Sequence, residues 1–238
     1  MLSRESIRRG VKTSARINGM NDTHDSTTPP DSLFSVEAVR LTLDTPWKAI
    51  NEIERMLLMP LARIQCALAG IGWGAGWKFY GIAIIQKHRR SSITIGSNME
   101  LRSTARSNPL GANRPCIIST RRAGAVLQIG SGFGMTGGTV VVDERIIIGD
   151  RVVVGANSVI TDTDFHPLNV ERRRTNFLDG ATAPVVIGDD VFIGMGSLIL
   201  KGVTIGAGSV IGAGSVVTRN VPAGVIAAGN PAKVIRAL

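Results

Sequence analysis

Residues 161–168 read TDTDFHPL, so that His166 follows Asp164 by two residues and Asp162 by four. Imidazole, with an ordinary pKa of about 6.5, can take up a proton near neutral pH and give it back. A hydroxyl is a poor nucleophile at that pH. The chemistry suggested is therefore general-base activation of a hydroxyl, with a carboxylate orienting the ring or stabilising the imidazolium. In an extended segment, two-residue spacing places Asp162, Asp164 and His166 on one face. A corner would separate them, so both aspartates stand as candidates. A charge developing on the substrate also needs a positioned donor, and the main-chain N–H groups of Gly-rich corners such as Gly194–Gly196 can supply one.

The elements that must hold these residues are announced by a period of six. From Ile187 the chain divides into IGDDVF, IGMGSL, ILKGVT, IGAGSV, IGAGSV and VTRNVP, with Ile or Val at 187, 193, 199, 205, 211 and 217. Neither a helix nor a plain alternating strand has that period. Gly at 188, 194, 206 and 212 permits a bend, and the fifth position is small or β-branched. Short parallel strands turning at regular corners make a solenoid, in which each coil buries its apolar row against the next. Looser units begin at 95, 129, 148, 154 and 160, with a phase slip between Ile129 and Ile148. Between His166 and Ile187 the register is lost, and 167–186 is predicted to be an extruded loop. Its Arg172, Arg173 and Arg174 are candidates for recognising an anionic acceptor.

The chain has 238 residues, 28 glycines, a net charge of +9 and 44% hydrophobic residues, enough for a core with many tight turns. Its two cysteines make neither a disulfide framework nor a metal motif, which points to a reducing, cytoplasmic setting. Nine Lys/Arg against one acid lie between Lys78 and Arg122. That stretch is either a solvated face or an attractor of anionic membrane, glycolipid or phosphorylated ligand. Without interleaved aromatics or a binding motif it does not suggest nucleic acid.

Residues 1–43 lack apolar periodicity and are predicted to be a mobile tail; 1–19 have the composition of a transit peptide or lie upstream of a start at Met20. An apolar helical segment with its lead-in follows over 44–92, with Asp44 as N-cap and a kink at Pro60. Pro60, Arg63, Gln65 and four glycines argue against a transmembrane span over 56–77. A helix against the core, or one resting in a membrane interface, is expected there. The β-helix is expected over 93–222 and a C-terminal tail over 223–238.

These hexapeptides resemble the left-handed parallel β-helix of the hexapeptide-repeat acyltransferases, most closely over 125–238. ITDTDFHPL and IGAGSVVTRNVPAGVIAAGNPAKVIR are similar to the catalytic segment and C-terminal coil of bacterial sugar O-acetyltransferases. The resemblance implies an all-β solenoid with an N-terminal helical extension, acetyl-CoA as acyl donor and a homotrimer with the coenzyme between neighbouring prisms. It implies His166 as general base, and Met195 where a main-chain N–H approaches the thioester carbonyl. Phe192 falls near the pantetheine arm, and Ala213, Thr218, Arg219 and Arg236 align with coenzyme-contacting positions, with Lys233 beside the phosphates. Met135 replaces an asparagine that contacts the acceptor in galactoside enzymes.

The function expected is acetyl transfer to a hydroxyl of a saccharide or glycan precursor. The alternatives are an antibiotic or other small-molecule acetyltransferase, or a non-catalytic trimeric binding module. A lipid-linked acceptor or a peripheral membrane site would suit the basic stretch and 56–77. No metal is expected: a carbonic anhydrase on this solenoid needs three His ligands, and His24 and His88 precede the repeats.

Overall fold

The computed structural model describes residues 43–238, so all of the predicted tail except Leu43 lies outside the described residues. Helix α1 spans Pro46–Leu68. Pro46 occupies the first turn, where its missing N–H costs nothing, and Thr45 rather than Asp44 is the N-cap. The helix continues through Pro60 instead of ending there.

The strands then wind into a three-sided parallel β-helix, left-handed as in the fold it resembles. Sheet A stacks β1 (Lys78–Tyr80), β4 (Glu100–Arg102), β7 (Gly134–Thr136), β10 (Val153–Val154), β13 (Phe192–Ile193), β16 (Val210–Ile211), β18 (Val225–Gly229) and β19 (Ala232–Ala237). Sheet B stacks β2 (Ile84–Lys87), β5 (Ile117–Thr120), β8 (Thr139–Val142), β11 (Val159–Thr161), β14 (Leu198–Ile199) and β17 (Val216–Val217). Sheet C stacks β3 (Ser92–Ile95), β6 (Val126–Ile129), β9 (Arg145–Ile148), β12 (Val185–Ile187) and β15 (Thr204–Ile205). The chain visits A, B and C in turn, so three hexapeptides make one coil.

The register explains the sixes. Ile187 pairs with Ile205, Ile193 with Ile211 and Ile199 with Val217, each partner one coil of 18 residues further on. All six side chains are buried. Each contributes roughly 1.5–3 kcal/mol on removal from water. In the earlier coils Ile129 pairs with Ile148, a spacing of 19, which is the phase slip seen in the sequence.

Pairing begins at Lys78, ahead of the expected 93, because β1 and β2 already lie in register with β4 and β5. The C-terminal segment, expected as a tail over 223–238, is an antiparallel hairpin of β18 and β19 extending sheet A. The extruded segment runs from the end of β11 to the start of β12 and contains a short helix, α2 (Val170–Thr175). α1 buries Ala62 and Cys66 against Trp77, Phe79 and Ala83 of the first coil. Gln65 Nε2 donates to the Ala83 carbonyl at 2.8 Å, so the helix closes the end of the prism beside β1, the edge strand of sheet A.

The corners set the tolerance of this stack. A Cβ on Gly188 would stand 2.6 Å from the Ala207 nitrogen of the next coil, whereas one on Gly134 would meet nothing within 4 Å. Gly188→Ala is therefore expected to destabilise by about 1–3 kcal/mol through forced displacement of a neighbouring coil. Gly134→Ala should be neutral or stabilising by about 0.5 kcal/mol. Denaturant unfolding of the two variants checks the contrast.

Candidate active site

The extruded segment leaves the prism at the corner between sheets B and C. Asp162, the first residue beyond β11, is buried and serves the backbone: its carboxylate accepts N–H bonds from Asp143, Glu144 and Arg145 at 2.8, 2.8 and 2.7 Å. Burial pushes its pKa up, the three donors oppose that, and the nearby Asp143 carboxylate raises it further. Asp162 therefore anchors the corner below it and does not orient His166. Asp164 does not orient it either: Asp164 Oδ2 lies 3.4 Å from Lys201 Nζ at the same corner of the following coil.

The partner of His166 is a main-chain oxygen. Nδ1 lies 2.9 Å from the Phe177 carbonyl, and the imidazole packs on the Phe177 ring with centroids 3.9 Å apart. A carbonyl only accepts, so Nδ1 carries the hydrogen and neutral His166 presents Nε2 as an unprotonated acceptor. This is the tautomer a general base requires. Phe165 adopts φ 63°, a costly conformation for a bulky residue, and the Thr163 hydroxyl accepts its N–H at 3.0 Å. The returning limb approaches so closely at Gly180 that a Cβ there would sit 2.7 Å from the His166 nitrogen.

Two residues missed in the sequence hold this arrangement. Arg121 lies over the Phe165 ring at 4.8 Å, and Arg122 donates to the Leu178 carbonyl at 2.9 Å. Both are ion-paired with the fully buried carboxylate of Asp143, at 3.5 and 3.1 Å. The adjacent pair of arginines is the signal in the sequence, and it stands at the end of the basic stretch. Arg172, Arg173 and Arg174, expected to face an acceptor, are engaged within the loop. Arg172 pairs with Asp179, Arg173 donates to the Pro167 carbonyl at 3.1 Å, and Arg174 pairs with Glu171 at 3.2 Å.

The other candidates lie elsewhere on the prism. Met195 and Ala213 stand at the corner between sheets A and B, one coil apart. Gly194 and Gly196 donate their N–H groups to Ile211 and Ala156, so neither is available as an oxyanion donor. Among the described residues, the Met195 and Ala213 N–H groups have no acceptor. Phe192 is exposed on the outer face of sheet A, in register with Val153 and Val210. Thr218 and Arg219 follow β17 at the B–C corner of the last coil. Lys233 and Arg236 project from β19, and neither makes an ion pair among the described residues. Met135, the expected acceptor-side position, is buried on the inner face of sheet A. Within one chain His166 and Met195 thus occupy different corners, with sheet B between them.

Sequence models of two hexapeptide families match the chain: bacterial transferase hexapeptide (six repeats) at residues 184–219, and hexapeptide repeat of succinyl-transferase at 138–162. A maltose O-acetyltransferase of known structure from Clostridium difficile is 30% identical, with 66% of this chain and 69% of that one covered and a TM-score of 0.43. The chain carries the repeats of the bacterial hexapeptide transferases over residues 138–162 and 184–219. Among curated relatives, a putative acetyltransferase of Saccharomyces cerevisiae is 47% identical over 48% of this chain and 57% of its own length. The galactoside O-acetyltransferase of Escherichia coli is 40% identical over 48% of this chain and 55% of its own length. The chain spans about half the length of the curated relatives it matches.

The loop carrying His166 is held from the coils before it. Arg122→Ala is expected to speed amide exchange at least about 10-fold over 163–181 while leaving exchange in β13–β17 unchanged. Asp162→Ala leaves three N–H groups without their acceptor and should cost roughly 2–4 kcal/mol of global stability by denaturant unfolding.

Proposed function

We propose that this chain is an acetyl-CoA-dependent O-acetyltransferase whose acceptor is a hydroxyl of a saccharide or glycan precursor. The observation that carries the reading is the Phe177 carbonyl on His166 Nδ1, which leaves Nε2 as proton acceptor. Galactoside and maltose O-acetyltransferases among its relatives support the acceptor class.

The residues fit the donor. The Met195 and Ala213 N–H groups lack acceptors, exposed Phe192 offers an apolar surface to an alkyl arm, and Arg219, Lys233 and Arg236 are cations available to phosphate. Acetyl-CoA, when bound, supplies an acyl group activated as a thioester. His166 Nε2 takes the proton of the acceptor hydroxyl as its oxygen attacks the acyl carbon. The Met195 N–H donates to the oxygen on which negative charge develops. The imidazolium then returns its proton to the departing thiolate, so His166 ends neutral and the acetyl group has moved from sulfur to oxygen.

His166 and Met195 belong to different corners of one prism, whose side of six residues is at most about 20 Å long. The B–C corner of one chain must therefore meet the A–B corner of another, as in a closed homotrimer with its site between prisms. His166→Ala is expected to lower kcat by roughly 10²–10⁴-fold, with the Kd for acetyl-CoA unchanged by calorimetry. Light scattering should give a particle of three chains. Wild-type turnover by His166→Ala, or an active monomer, would sink the reading.

A further inference from the structure

The end-closing helix α1 has an outer face that a solenoid cap should not have. Terminal caps of repeat proteins need a polar outer surface to stay in solution. Here Ile50, Ile53, Leu57, Leu61, Ile64 and Leu68 recur at spacings of three and four, and all are more than half exposed, Leu57 at 72% and Leu68 at 86%. They form one stripe along a 23-residue helix about 35 Å long, with Trp47, 56% exposed, at its N-terminal end. The face opposite the stripe is committed to the core through Ala62 and Cys66, so rotation of the helix would not hide the apolar residues.

Charge indicates what covers this stripe. On α1 and the coil it closes, Lys48, Lys87, Arg89 and Arg90 form no ion pair among the described residues, whereas Arg63 lies over the Trp73 ring at 5.1 Å and the charge of Lys78 acts on Glu52. The helix's own glutamates are already engaged, Glu52 by Arg55 and Tyr80, and Glu54 by Arg106. This end of the prism therefore combines a long apolar stripe, an aromatic terminus and unpaired bases. Interfacial helices combine those features when they lie along an anionic bilayer. No helix among the described residues is long and apolar enough to cross a membrane, so the contact is with the surface layer.

We propose that the outer face of α1, with the bases of the first coil, docks the protein on anionic phospholipid. The helix lies in the interface plane with its stripe among the acyl chains. If the prisms assemble with parallel axes, their capped ends share one plane and the contacts reinforce one another.

The test is flotation of the full chain with vesicles of phosphatidylcholine alone and of phosphatidylcholine mixed in equal parts with phosphatidylglycerol. The wild type should float with the anionic vesicles and at least about 10-fold less with the neutral ones. Ile53→Glu/Leu57→Glu changes two exposed side chains, so circular dichroism and the unfolding midpoint should be retained while partition falls by more than about 10-fold. Arg89→Ser/Arg90→Ser, leaving the stripe intact, should weaken anionic partition by about 5-fold per base removed. A wild-type chain that stays in the aqueous fraction overturns the proposal, as does a folded Ile53→Glu/Leu57→Glu variant that floats unchanged. A lipid-free oligomer split by that double substitution, with no vesicle binding by the wild type, would assign the stripe to a second copy and also overturn it. The readout is lipid partition, so it stands whether or not the chain transfers an acetyl group.

Discussion

Successive coils of this molecule are joined at every side by backbone hydrogen bonds, and that spacing leaves no room for a Cβ at the tight position of a corner. Gly155 and Gly188 sit where an added Cβ would stand 2.5 and 2.6 Å from a nitrogen of the neighbouring coil. From this constraint follow the glycines after the inward residues Ile187, Ile193, Ile205 and Ile211, the repeat of six and the column pairing Ile187 with Ile205. An insertion that respects the spacing can leave only outward at a corner. The segment bearing His166 does so, and the corner stays closed because the Asp162 carboxylate binds the N–H groups of residues 143–145.

The same geometry divides the chemistry. A base carried on an excursion needs external bracing, and Arg121 and Arg122 provide it from an earlier coil while sharing the buried charge of Asp143. An oxyanion donor needs the opposite: a rigid main-chain N–H at a regular corner whose neighbours are already engaged. Met195 meets that description, between Gly194 and Gly196. In the mechanism proposed, the flexible and rigid requirements fall at different corners, which makes the proposed centre a split one.

The period of six was legible because every inward position is buried by the same neighbour one coil away, making a local pattern report a repeated environment. Even the slip between Ile129 and Ile148 was visible, as a spacing of 19 where the later coils have 18. Asp162 stayed open in the sequence because two-residue spacing sets it beside His166 only in a strand, whereas the chain turns at that residue and gives the carboxylate to residues some 17–19 positions earlier. Arg121 and Arg122 were hidden for a related reason: their partners lie up to 58 residues away and are mostly a ring and main-chain oxygens, which leave no charge pattern. The arginines at 172–174 erred the other way, since a run of charge looks available until its loop folds and supplies Asp179 and Glu171.

The central claim is that the catalytic centre is assembled from the B–C corner of one chain and the A–B corner of another. Two variants, each with one corner disabled, test it directly. His166→Ala removes the base, and Gly155→Val drives a side chain into the space 2.5 Å from the Met195 nitrogen. Co-expressed with different tags and purified as mixed assemblies, these two inactive chains should recover about a third of the wild-type rate, since each mixed closed ring of three restores one site in three. Mixed assemblies that carry both tags and remain as inactive as their parents would contradict the account.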